Sequence, residues 1–202
     1  HYIKTLIKNN ITPELMPFTT IWKTNSSDDA ITILVDTKYT YNYTVDWGDG
    51  IIDKNITNSK KHNYQTTGNH TIKISGVFPY IETKDKGQLQ MVTQWGDIAW
   101  SSFKKTFVSC TKLDINATDT PDLRKVTDLT EMFMYTNALK ANKYFNEWDT
   151  SSVTDMTRMF RSAETFNQPL NNWDVSSVTT MRSMFSHAKT FNQPLNNWNV
   201  SS

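Results

Sequence analysis

The chain has 202 residues, with 21 Lys and Arg against 20 Asp and Glu, so its formal net charge is +1. That balance argues against a nucleic-acid binder with a basic excess on one face and against a polybasic membrane-surface protein. A mean hydropathy of −0.57 goes with the lack of any apolar run near membrane-span length. One cysteine, Cys110, admits neither an intrachain disulfide nor a multi-cysteine metal site.

In chain order, residues 1–16 read equally as a leader strand, a short helix or a linker. The chain begins at His1 rather than Met, so a missing secretory signal says nothing. Residues 17–92 carry alternating segments, "AITILV", "YNYTVDW" and "GNHTIKIS". Turn signals fall at Trp47-Gly48-Asp49-Gly50 and Thr67-Gly68-Asn69. Short strands at regular spacing predict an antiparallel β-sandwich.

From residue 93 the pattern changes to a repeat. Trp148, Trp173 and Trp198 are 25 residues apart, as are Phe160 and Phe185, and Phe166 and Phe191. Units start near 95, 121, 148, 173 and 198, with lengths of 26, 27, 25 and 25, and the last is cut short. Val153, Met156, Met159, Phe160 and Ala163 lie on one face at helical spacing and predict a helix of about three turns in each unit. Ser152 is its expected N-cap, with Asp155 closing a capping box. "KLDIN" predicts a short strand from its alternation. One helix and one strand per unit is the arithmetic of a leucine-rich-repeat solenoid. The fold expected is multidomain: an all-β immunoglobulin-like sandwich over 17–92, then an α/β solenoid over 93–202. The sandwich is expected to cap the first unit, as repeat arrays require.

Two resemblances bear on function. "YTVDWGDG" followed by "HNYQTTGNHTIKISG" resembles a PKD-type immunoglobulin-like domain, with His70 at the usual aromatic position. "FNQPLNNWDVSSVTTMRSMF" resembles the BspA-type leucine-rich repeats of bacterial surface proteins, in the form frequent in mycoplasma surface lipoproteins. The second resemblance implies an extracellular or cell-surface protein, adhesive or ligand-binding. It is expected to be no enzyme, to use no cofactor, and to have a protein or glycan partner on a host or neighbouring cell. The alternative is a carbohydrate-binding or spacer module of a larger secreted enzyme. Neither nucleic-acid binding nor a membrane span within these residues is expected.

The candidate contact residues are Asn167, Asn171, Trp173, Asn192, Asn196 and Trp198, a repeated amide and indole set. Trp at a strictly repeated position also reads as a core wedge, and Asn beside it as an internal ladder satisfying backbone groups. Cys110 occupies the small-residue slot of Thr136, Ala163 and Ala188 and reads as core. His62 and His70 have two readings, a pair facing each other across a hairpin and, the more usual one, a sheet-surface pair. Because the unit at Trp198 stops early, its neighbour's apolar edge is expected to fray, to self-associate, or to be covered by further repeats of a longer chain.

Asp46, Asp49 and Asp53 crowd one hairpin, but their spacing does not match a Ca²⁺ loop. Gly48 and Gly50 supply unusual backbone angles there, and Asp49 supplies local hydrogen bonds. Thermal melts in Ca²⁺ and in EDTA should therefore overlay. A rise of several degrees with Ca²⁺ would reveal a site on the folded state.

Overall fold

A computed structural model describes residues 15–26, 29–83 and 87–200. The leader expected over 1–16 lies outside these residues but for Leu15 and Met16. Eight strands run in chain order as β1 (Phe18–Thr24), β2 (Ala30–Ile33), β3 (Asn42–Asp46), β4 (Ile52–Ile56), β5 (Lys60–Asn63), β6 (Gly68–Val77), β7 (Leu89–Gln94) and β8 (Asp114–Ile115). Six form one sheet in the order β4-β3-β6-β1-β7-β8, and β2 pairs with β5 in a second. All pairings are antiparallel except β7–β8, which is parallel.

Alternation explains the N-terminal strands. Tyr43 and Val45 of β3, and His70, Ile72 and Ile74 of β6, turn inward while their neighbours face out. Ile31 and Ile33 of β2 are also fully buried. The turn before β4 holds Gly48 at φ +79°, where a Cβ would lie 2.4 Å from the Thr71 carbonyl oxygen, so only glycine fits.

The helices predicted in the repeats do not form. The described residues contain no α-helix, only a 3₁₀ turn at Lys143–Glu147. The expected α/β leucine-rich-repeat solenoid is therefore overturned. Each repeat is a succession of tight turns, joined to its neighbours by isolated parallel bridges such as Asp128–Asp155 and Asp155–Thr180. The backbone shows why. Arg158 and Ser162 sit at φ 55° and 58°, outside the right-handed helical region. Met159, Arg161 and Ala163 donate to carbonyls three residues back. The intervening amides of Met156, Arg158, Phe160 and Ser162 leave the unit altogether and donate to Thr180, Arg182, Met184 and Ser186 at 2.8–3.0 Å.

The same exchange joins the other units. Lys105, Phe107 and Ser109 donate to Thr130, Met132 and Met134, and Leu129, Glu131, Phe133 and Tyr135 donate to Asp155, Thr157, Met159 and Arg161. The expected capping box is also replaced. Asp155 Oδ1 accepts the amide of Thr157 at 2.8 Å, while Ser152 Oγ donates to the Arg124 carbonyl. Ser102, Asp128 and Thr180 hold the equivalent place, each accepting an amide two residues on.

Inside the turns the apolar face expected from the sequence does point inward. Met156, Met159 and Phe160 are fully buried, Met184 nearly so, and Met181 and Phe185 partly. Stacked rings form a column through Phe107, Phe133, Phe160 and Phe185, at centroid spacings of 5.6, 5.8 and 5.6 Å. Cys110 is fully buried.

The two halves share one core. The boundary drawn at residue 92/93 falls inside β7, whose partner β8 belongs to the first repeat. Phe18 of β1 packs on Trp95 and Trp100. Two hydroxyls from the connection between β6 and β7 close the near end of the repeats. Tyr80 donates to the Lys104 carbonyl at 3.1 Å, and Thr83 donates to the Thr106 carbonyl.

Phe160 touches rings before it, behind it and within its own unit. Phe160→Ala should cost about 3–5 kcal/mol in denaturant unfolding. A loss below about 1 kcal/mol would mean that the column is not a core element.

Candidate binding surface

In the segment after each turn run, Pro169 and Pro194 forbid regular structure. The apolar residues turn in and the amides turn out. Leu170 is fully buried and Trp173 is 2% exposed. Asn167, Asn172, Asn192, Asn196 and Asn197 are exposed.

The structure divides the six candidate contact residues. Trp173 is a core residue whose Nε1 donates to the Phe145 carbonyl at 3.0 Å, and it stacks on Trp148 at 6.1 Å. Trp198 is partly buried, and its Nε1 donates to the Leu170 carbonyl at 2.8 Å. Asn167 and Asn192 are brought together: Asn167 Oδ1 accepts the Asn192 amide at 2.8 Å and Gln193 Nε2 at 3.2 Å. Two repeats earlier Asp114 does the same work, accepting the amides of Lys140 and Ala141. Asn146 Oδ1 accepts the Asn172 amide at 3.1 Å, whereas the equivalent Asn171 Oδ1 is buried without a partner. Among the described residues, the side chains of Asn192, Asn196 and Asn197 make no hydrogen bond with the rest of the chain, although Asn197 lay outside the candidate set. One side-chain oxygen per repeat is thus spent on the next repeat's backbone, and Asn192, Asn196 and Asn197 face solvent.

The turns carry the charge. Lys104 Nζ lies 2.8 Å from Asp128, and Glu131, 9% exposed, sits between Lys105 at 3.5 Å and Arg158 at 3.1 Å. Burial opposes ionisation of Asp128, but Lys104 and Thr130 outweigh it and hold the carboxyl below its ordinary 3.8. The hydrogen bond that Lys104 donates to Asp128 raises the Lys104 pKa.

In the N-terminal hairpin, Asp46 and Asp49 accept the amides of Gly48 and Ile51, and Asp53 accepts Trp47 Nε1 at 3.0 Å. The Trp47 bond, and then Lys60, hold Asp53 below its ordinary value. His62 and His70 do not face each other. Tyr64 lies against both, edge-on to His62 and stacked on His70, while His62 stacks on Trp47 and bonds Asp49 at 2.7 Å. Burial lowers the His70 pKa. Among the described residues no group of three or more His, Cys, Asp or Glu is placed to hold a metal, and no helix is long and apolar enough to cross a membrane.

These features define a repeat protein headed by a β-sheet unit, with tight-turn repeats tied by backbone and amide ladders. Residues 101–202 match the family described as "Mycoplasma protein of unknown function, DUF285", and the chain belongs to that family. No curated protein and no solved structure matches it. The likeness to leucine-rich repeats and to PKD-type domains gains no support from these comparisons.

Asp53, Asp122 and Asp128 all fold with carboxyls below the ordinary 3.8. Their contribution to stability is fully present above that value and is lost as pH falls through the lower folded values. Lys104, shifted upward, loses its share only on the alkaline side. Melting temperature should decline gently as pH falls below about 6.5, where burial resists protonation of His70, and more steeply below about pH 4. Asp128→Asn keeps an acceptor for Thr130 but loses Lys104; it should cost about 0.5 kcal/mol at neutral pH and make the acid limb shallower.

Proposed function

We propose that the protein is a non-enzymatic binding protein at the cell surface or secreted from the cell, presenting its repeats to a protein or glycan on a host or neighbouring cell. The observation that carries this reading is the row of exposed amides. Asn192, Asn196 and Asn197 each offer a donor and an acceptor with no internal partner among the described residues. The Asn192 backbone is tied to the preceding repeat through Asn167, so little ordering cost remains there on binding. Amides of this kind match glycan hydroxyls and peptide groups equally well. The near-zero net charge provides no long-range steering, so recognition rests on short-range hydrogen bonds and shape. Membership of a mycoplasma family and the resemblance to repeats of bacterial surface proteins support the location.

The alternative, a carbohydrate-binding module of a larger enzyme, needs exposed indole faces for sugar stacking. The burial of Trp148 and Trp173, each 2% exposed, weighs against it.

The test is a glycan array together with immobilised host matrix proteins, probed with the wild type and with the Asn192→Ala/Asn196→Ala double variant. Both positions are exposed, so stability should change by less than about 0.5 kcal/mol per site. Retained ligands should bind the double variant about tenfold more weakly. No ligand at all, or ligands indifferent to both substitutions, would refute the amide surface.

A further inference from the structure

Within the turn runs the bonds between repeats run one way. Along the turn runs of all three junctions the earlier repeat gives its amide hydrogens and the later repeat its carbonyls; the reverse bonds lie just ahead of the runs, where Thr154 and Asp155 donate to Thr127 and Thr179 donates to Thr154. In the last described repeat the carbonyls of Thr180, Arg182, Met184 and Ser186 are used in this manner. The amides of Met181, Ser183, Phe185 and His187 stand where those of Met156, Arg158, Phe160 and Ser162 stand one repeat earlier. They meet no acceptor among the described residues. Ser183 and His187 hold φ of 56° and 61°, matching Arg158 and Ser162, so the donors keep the interior geometry. Beside them opens an apolar recess of about 420 Å³, lined by Met181, Met184, Phe185, Leu195 and Trp198. The Phe185 ring ends the stacked column there.

We propose that this edge is a docking surface for a polypeptide segment with the chemistry of the repeat itself: carbonyls on every second residue and an aromatic ring set over Phe185. The edge continues three interfaces of the same kind inside the molecule, and those interfaces define what fits. A second copy of the chain does not. Through a two-fold contact it would set donors against donors and leave both rows unpaired. Head to tail, it would need the carbonyls of Lys104 and Thr106, which Tyr80 and Thr83 of its own chain already occupy. The self-association expected from the sequence is replaced by capture of an acceptor-bearing segment. This surface is separate from the exposed amides, and its test is independent of theirs.

The probe is a synthetic peptide of residues 151–174, which carries the carbonyls of Asp155, Thr157, Met159 and Arg161 and the ring of Phe160. The readout is amide hydrogen exchange of the whole chain. With saturating peptide, exchange at Met181, Ser183, Phe185 and His187 should slow by about tenfold or more, while Lys105 and Phe107 stay unchanged. The same peptide with Phe160→Ala should bind at least about tenfold more weakly, and a scrambled peptide not at all. Leu195→Asp in the protein, at a partly buried position on the recess wall, should abolish the effect with the remaining amides as protected as in the wild type. The proposal is overturned by no slowing up to about 1 mM peptide, or by equal slowing with the scrambled peptide. It is also overturned if the four amides are already protected in a peptide-free dimer seen by sedimentation.

Discussion

Everything in the C-terminal half depends on where the backbone amides of the turn runs go. A buried peptide group without a partner costs more than most side-chain contacts return. In these repeats some of the groups close turns within the unit and others reach a neighbouring unit. A single unit therefore cannot satisfy its own backbone, and no unit is stable apart from a neighbour. The non-glycine residues at positive φ follow from this. Lys105, Glu131, Arg158 and Ser183 hold one column of such positions, and Ser109, Tyr135, Ser162 and His187 hold the next. Each carries a local strain cost of roughly 1 kcal/mol or more, and the amides flanking it can then point out of the unit.

The side chains reinforce the same arrangement. Rings repeat at 5.6–5.8 Å through four units, and the second column, Trp148 on Trp173, repeats at 6.1 Å. The N-terminal sheet supplies what the first repeat lacks. β7 pairs with β8, Phe18 covers Trp95 and Trp100, and Tyr80 and Thr83 satisfy two carbonyls that have no earlier repeat to receive them from. The first repeat is thus covered by hydroxyl groups as well as by apolar rings.

The strands of the N-terminal half were legible because a period of two has one structural meaning. Tyr43 and Val45, then Ile72 and Ile74, alternate and are buried. The repeats were legible as repeats and misread as helices. Val153, Met156, Met159 and Ala163 fall about every three residues, which suits an α-helix and equally a chain of turns closed at three residues. The residues between them were the better guide. Thr154, Asp155, Thr157, Ser162 and Thr165 are weak helix formers that favour turns and caps. Among the contact residues, the alternative role of Trp173 as a wedge and of Asn167 as a ladder rung was visible in the strict period. The donor row at Met181 to His187 was not, because backbone amides leave no signature in the side chains.

The 3₁₀ turn at Lys143–Glu147 has a consequence for how such chains vary. The unit from 121 is 27 residues long against 25 for its successors, yet its bonds to the following repeat keep full register. The extra length lies after Leu139, where Asn142 caps the short turn and bonds back to the Ala117 carbonyl. Insertions are thus absorbed at the rim between the ladder and the tryptophan, without disturbing either. Two added residues at that rim leave the ladder intact, whereas one residue gained or lost between Leu129 and Tyr135 would put every later amide out of step. Diversity in related chains should concentrate in that window, and the turn runs should stay constant in length.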